Sequence, residues 1–396
     1  MASLGLVVFG LVFSFAYDPV VLHKAGWQSP ADVWLSYRGA QYTTWGDFTD
    51  GLQYVSAPGT ALLFVPVAFV ADRLHLVSSY IPFFLSKPSA WIVLAPYDLI
   101  VSTTAIFAFD RLAEQFDLSA GRRQVLLWLE VLAMLVIVEW FGHPEDVVAM
   151  AFALWALSAG MNGRWGYAGW LFGAAIVLQP ITVLVLLPVL ALTSPRTWVS
   201  VGWRAIVPTA VVMATPLFEA WGETMRFLHQ PNFIAPNHPT PLLWLAPAAG
   251  KDLVDTGPLR LLCVLLAAII AWVAYRRRAT PLEVVWCIGL TLSLRVALEP
   301  VLDPYYVWPA VAVLLLVVMA LSSRTSWISV PLLGFVTVYA LPHLAGWVYW
   351  LPLVGALSLV LAVTGADIRR REGERTSKEP PAAGQVPAGS YGAARS

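Results

Sequence analysis

"VLLWLEVLAMLVIVEWFGHPEDVVAMAFALWALSAGM", Val125 to Met161, consists of two apolar runs joined by a turn that carries His143, Pro144, Glu145 and Asp146. Each run is close to the length that crosses a hydrocarbon core of about 30 Å as a helix. Such a core offers the backbone no water to bond, so the runs read as helices and the polar turn as the point where the chain emerges and re-enters.

The rest of the chain repeats this pattern. Of its 396 residues, 59% are hydrophobic and 12% charged, with a mean hydropathy of +0.71. A soluble domain of this size carries about a quarter charged residues. The expectation is an all-α, polytopic transmembrane helix bundle of about eleven to thirteen segments over residues 1–365. Its 19 Trp and 13 Tyr suit rings gathered at the headgroup level. "MASLGLVVFGLVFSFAY" has no basic leader and reads as a short first membrane segment, or as one whose start has been trimmed. Gly59 to Ala71 is short for a crossing and contains Pro66, which suits a re-entrant or juxtamembrane element. After Thr364 the composition turns polar and rich in Pro and Gly, so residues 366–396 read as a disordered cytoplasmic tail. A net charge of +0 gives no field that would attract nucleic acid. Cys263 and Cys287 lie in apolar runs and read as small buried hydrophobes. Nucleotide-binding glycine loops, HExxH, paired CxxC and GxSxG are all absent.

Basic residues orient the spans. Arg122 and Arg123, Arg164, Arg196 with Arg204, Arg276 to Arg278, Arg324, and Arg369 to Arg371 fall in alternate connectors. The positive-inside rule puts these on the cytoplasmic side of a multi-pass plasma-membrane protein. The remaining connectors then face outward: the "FGHPED" turn, the junction at Gln179, a long loop at 221–258, "EPVLDPYY" and the short "PHLAG" turn, joined by a first loop at 18–56 if the first span runs inside to outside. Asp32, Asp47, His143, Glu145, Asp146, His238, Arg295, Glu299 and Asp303 all belong to that face.

Structural roles compete for several of these residues. Pro144 at a first helical position, followed by two acids, is a sound helix start in which both carboxylates meet the positive end of the dipole. Arg295 and Glu299 are spaced to neutralise each other on one helical face. Even so, an arginine inside "WCIGLTLSLRVALEP" is costly in a membrane and usually lines a functional cavity. Asp98, in "WIVLAPYDLIVSTT", is the one acid that reads as lying at mid-membrane.

Three segments carry a family resemblance. They are Asp32, Tyr37, Gly39 and Ala40 followed by "YVSAPGTALLFVPVAFV"; "GHPEDVVAMAFALWALSAGMNGRWGYAGWLFGAAIVLQP"; and "LRVALEPVLDPYYVWPAVAVLLL". Together they resemble the integral-membrane GT-C glycosyltransferases of actinobacteria. The likeness implies a GT-C-like bundle with an outward-facing polar cavity, in which a mannose-like sugar passes from a polyprenyl-phosphate donor to an envelope glycan or glycolipid. Asp32 would be the catalytic base, with Asp47 as the alternative. Arg295, oriented by Glu299, would stabilise the leaving phosphate. His143, Glu145 and Asp146 would orient sugar hydroxyls or hold a divalent cation, and His238, Tyr305 and Tyr306 would complete the substrate-binding set. Relatives often have Lys where this chain has Gln179. A transporter or flippase, or a non-catalytic scaffold on the same fold, is the competing reading.

Overall fold

The structure is a computed structural model that describes residues 1–16, 31–44, 46, 58–76, 89–219, 221–222, 224–225, 235–238, 240–321, 323–341 and 346–378. Among them the chain is almost entirely helical. The helices are α1 (Ala2–Ala16), α2 (Ala31–Thr44), α3 (Pro58–Arg73), α4 (Trp91–Gln115), α5 (Ala120–Leu135), α6 (Pro144–Met161), α7 (Trp165–Leu178), α8 (Val183–Val189), α9 (Pro195–Glu219), α10 (Gly257–Arg277), α11 (Pro281–Leu298), α12 (Pro304–Leu321), α13 (Arg324–Trp327), α14 (Ser329–Ala340) and α15 (Trp347–Lys378). A two-stranded antiparallel hairpin, Ala248–Gly250 with Leu253–Val254, precedes α10. Seven helices among the described residues are long and apolar enough to cross a membrane, and three shorter apolar ones lie at Ala2–Phe15, Trp165–Leu178 and Pro180–Leu192. The protein is therefore a multi-pass, all-α membrane bundle.

One continuous core holds most of the helices together, with Leu99, Leu126, Leu154, Phe172, Leu292 and Leu314 among its fully shielded side chains. A second core joins α2, α3 and the start of α4 around Trp34, Phe64 and Trp91. In a membrane, helices associate by close packing rather than by the hydrophobic effect, so small residues gather at the contacts. On α7, a side chain at Gly169 would strike Arg204 Cβ at 2.8 Å, and one at Gly173 would strike Pro208 at 2.6 Å. That stripe lets α7 lie directly on α9. Likewise a Cβ at Gly59 would come within 2.1 Å of the Val177 carbonyl, so the start of α3 abuts the end of α7.

The bundle has two distinct polar ends. At one, Arg122 donates to the Met319 carbonyl at 3.0 Å and Arg371 to Ala320 at 3.5 Å, closing the C-terminal end of α12. There Asp367 accepts from Ser326 at 2.5 Å, from Thr325 and Ser323, and pairs with Arg370. The opposite end gathers the "HPED" turn, Gln179 and the stretch from Glu299 to Tyr306.

Two expectations change. Arg204 is not in a connector: it lies inside α9, where its guanidinium covers the Trp203 ring and bonds back to Ser200. Its long stem permits this snorkelling toward the helix start. Helix α15 also runs on to Lys378, past residue 366 where disorder is expected. "IRRREGERTSK" is rich in good helix formers, and a helix already nucleated by a packed span extends through them at little cost. Residues 379–396 of the expected tail lie outside the described residues.

Candidate functional site

The site is built on an irregular turn. The end of α5 widens into a π-helical stretch, Val136–Phe141, and Gly142 closes it with φ 75°, a left-handed conformation that glycine adopts freely. The His143 N–H then bonds back to Ile137 at 3.1 Å, and Pro144 starts α6. Glu145 and Asp146 occupy the first turn as expected of a helix start, yet Glu145 is 1% exposed and Asp146 8%. A helix start that served only as a cap would leave these acids in solvent.

His143 bridges two carboxylates. Its Nδ1 lies 2.8 Å from Glu145 Oε1 and its Nε2 lies 3.1 Å from Asp32 Oδ2, in the first turn of α2. Burial opposes a charge on this ring, but Glu145, Asp32 and Asp146 outweigh it and hold the imidazole pKa well above its usual range. With both nitrogens facing carboxylates, the ring donates from each. The Asp32 side chain is 46% exposed and that of Glu145 2%, so the bridge leads from the surface to the interior. Asp146 turns the other way and accepts a hydrogen bond from Gln179.

An arginine pair sits across two tyrosines. The Tyr305 ring stacks on His143 with centroids 3.9 Å apart, and Tyr306 meets Tyr305 edge-on at 4.5 Å. Tyr305 donates to Asp303 at 3.0 Å. The Arg295 guanidinium lies 4.3 Å from the Tyr306 centroid, and its Nε is 3.3 Å from Glu299 Oε2. Arg260, in the first turn of α10, grips the same carboxylate with two nitrogens, at 2.9 and 3.2 Å. Burial would raise the Glu299 carboxyl, but Arg260 and Arg295 outweigh it and hold it below the usual range. Two guanidinium groups share one carboxylate, and Arg295 also acts on Asp146.

The structure thus joins Asp32, His143, Glu145, Tyr305, Tyr306, Arg295 and Glu299 in one unbroken set of contacts, with Asp146 beside it. His238 stacks against Trp350 with centroids 6.5 Å apart. Asp47 lies outside the described residues. A divalent cation finds no support in the geometry, because no group of three His, Cys, Asp or Glu side chains among the described residues could hold one. The cleft formed beside the site is small and apolar, with Val136, Ile137, Pro304, Val307 and Trp308 in its lining.

Sequence reasoning missed Arg260. Its signal was an arginine in the first turn of a span at the end where basic residues are sparse. It also missed two buried acids. Glu130, on α5, is 0% exposed against the Trp308 indole, and Glu139, on the π-helical stretch, is 1% exposed and accepts from Ser14. With Asp98, at 1%, they are nearly inaccessible acids on helices long enough to cross a membrane, where the sequence reading singled out Asp98 alone.

No family model matches the chain, and no curated protein matches it.

Proposed function

We propose that the chain is a membrane-embedded glycosyltransferase of GT-C type that moves a mannose-like sugar from a polyprenyl-phosphate donor to a hydroxyl of an envelope glycan or glycolipid. The observation that carries this reading is the joining of a half-exposed carboxylate, Asp32, to a pair of arginines through His143, Tyr305 and Tyr306. An acceptor hydroxyl attacking an anomeric carbon must lose its proton to a base within hydrogen-bond reach. Asp32 takes that proton, and His143 orients its carboxylate. As the bond from the anomeric carbon to the phosphate oxygen breaks, its electron pair goes to that oxygen, and Arg295 and Arg260 face the charge that develops. Glu145 and Asp146 hold the wall of an outward-opening cavity. By the positive-inside rule this end faces outward from the plasma membrane, and the end with Arg122, Arg370 and Arg371 faces the cytoplasm.

The test supplies purified chain in membrane vesicles with radiolabelled polyprenyl-phosphate mannose and an envelope lipid extract. Transfer by the wild type that disappears in Asp32→Asn supports the reading; a well-folded wild type that transfers from no donor removes it. A second reading, a proton-coupled transporter or flippase, draws on the buried acids Asp98, Glu130 and Glu139, since such residues mark ion pathways. Substrate movement into vesicles driven by a pH gradient, without any covalent transfer, would favour it.

A further inference from the structure

Behind His143 lies a group of side chains that the transfer chemistry leaves unused. Asp98 on α4, Glu139 on the π-helical stretch and Glu145 on α6 come from three separate elements, and each is 1% exposed. Asp98 lies within electrostatic range of both glutamates. One carboxyl oxygen of each, Asp98 Oδ1, Glu139 Oε1 and Glu145 Oε2, has no hydrogen-bond partner. The Ser102 hydroxyl, one turn along the same face of α4 as Asp98 and wholly buried, has no partner either. Among the described residues neither Asp98 nor Glu139 forms an ion pair. The charged and titratable groups around them are Asp32 from α2, His143 from the turn, Asp146 beside Glu145, and Arg295 from α11, which acts on Asp146. Tyr97 donates to the Leu63 carbonyl, and Tyr305 covers His143.

A buried carboxylate with no cation beside it strongly disfavours its charged form. Glu139 and Glu145 both act on Asp98 and add repulsion to that cost. A proton is the one cation that removes both costs without needing a coordination shell, and a metal finds no ligand group here among the described residues. The orphan oxygens and the Ser102 hydroxyl are the acceptors and the donor that a proton held on one of these carboxyls, bridged to the others by water, requires. We propose that Asp98, Glu139 and Glu145 form a membrane-embedded proton-binding site, connected to the surface through His143 and Asp32.

The connection balances. The doubly protonated ring passes its Nδ1 proton to Glu145 Oε1 and is left neutral with its remaining proton on Nε2; turning about its Cβ–Cγ bond, it takes up at Nδ1 the proton that has arrived on Asp32, then turns back. The imidazole ends with the protons it began with, Asp32 is again a carboxylate, and the buried group holds one proton more. This site goes beyond the transferase reading and does not depend on it. In a transferase it would take up the acceptor's proton; in a transporter it would load the driving ion.

The test is infrared spectroscopy on the full chain in lipid nanodiscs. The wild type shows the carbonyl stretch of protonated carboxylic acids at neutral pH, and Asp98→Asn and Glu139→Gln each remove part of that band. His143→Phe leaves the band in place but slows its shift on transfer to deuterium oxide. A band that is absent from the wild type, or unchanged in both acid variants while their helical circular dichroism is intact, overturns the site. An unchanged exchange rate in His143→Phe overturns the connection. Should the acid variants fail to fold, wild-type labelling by a hydrophobic carbodiimide decides: adducts on Asp98 or Glu139 support the site, and adducts confined to exposed carboxyls such as Glu114 overturn it. Because no sugar donor is present, the outcome is separate from the transfer assay.

Discussion

Both ends of the bundle bury acids, and they treat them oppositely. Asp367 is met by three hydroxyls and an arginine, all within four residues of it or on the neighbouring α13 turn, so its charge is spent on fixing α15 to the end of α12. Asp98, Glu139 and Glu145 keep an oxygen without a partner, and Asp32 stays half in solvent. Buried polar atoms in native proteins are nearly always satisfied, so unsatisfied ones call for a role other than holding the fold. The contrast separates an end that fastens helices from one that, on the proposed reading, is kept reactive.

The largest effect should come from the least structural member of the reactive end. Asp32→Asn removes the proposed base, and transfer should fall about 10²- to 10⁴-fold. Since the Asp32 side chain is nearly half exposed, thermal unfolding in detergent should shift little, about 0.5 kcal/mol or less. A variant equally damaged in stability and transfer would make Asp32 a fastening residue and break the contrast.

Next comes Glu299→Ala. It leaves Arg260 and Arg295 facing each other with their shared carboxylate gone. Breaking a buried pair in this way costs about 3 to 5 kcal/mol, and the partial exposure of Arg260 puts the expectation at the lower end. Glu299→Gln keeps the volume and two of the hydrogen bonds, so it should recover part of the stability and little of the transfer. Equal recovery of both would show that the arginine pair only braces α10 against α11.

The fastening end offers the matched control. Asp367→Ala frees Ser323, Thr325 and Ser326 from their common acceptor, for an expected loss of about 1 to 3 kcal/mol in thermal unfolding. Transfer per folded molecule should be unchanged.

These residues were unequally visible in the sequence. The membrane bundle was plain from apolar run length, and the turn at His143 from three ionisable side chains beside Pro144. Asp32 and Arg295 were named from their place on one face, but nothing in a linear pattern says that Tyr305 lies flat on His143 and so connects them. Arg260 was passed over because a single arginine at the start of a span looks like an ordinary boundary residue. Glu130 was passed over because one acid in "LLWLEVLAML" barely alters the mean hydropathy of the window. The depth of Glu139 depends on a π-helical widening, and π turns leave no composition signal. The early helix ending expected at 366 failed for the opposite reason: composition reports on an isolated segment, whereas this one continues a packed helix.

A smaller effect tests the bridge itself. Asp32 and Glu145 raise the folded pKa of His143 above its unfolded value, so its stabilising contribution is complete below the ordinary imidazole pKa of about 6.5. It is lost as pH rises through the folded value. Thermal midpoints measured across that range should therefore decline in the wild type and decline less in His143→Gln. Parallel curves would mean that the ring gains no net charge from its two carboxylates.

The smallest expected effect bounds the comparison from outside. Arg111 and Glu114 form a 2.6 Å pair on α4, with side chains 43% and 53% exposed. Water and salt screen such a pair, and ordering two long side chains offsets most of what remains, so Arg111→Ala should cost about 0.2 to 1 kcal/mol. Transfer should be unaffected. The prediction has force because Arg111 and Arg295 are the same residue type on helices of the same bundle, each bonded to one glutamate. If removing the exposed one proved as damaging as removing the carboxylate beneath Arg295, burial would not be what sets the two ends apart. The unsatisfied oxygens around His143 would then need an explanation from local packing alone.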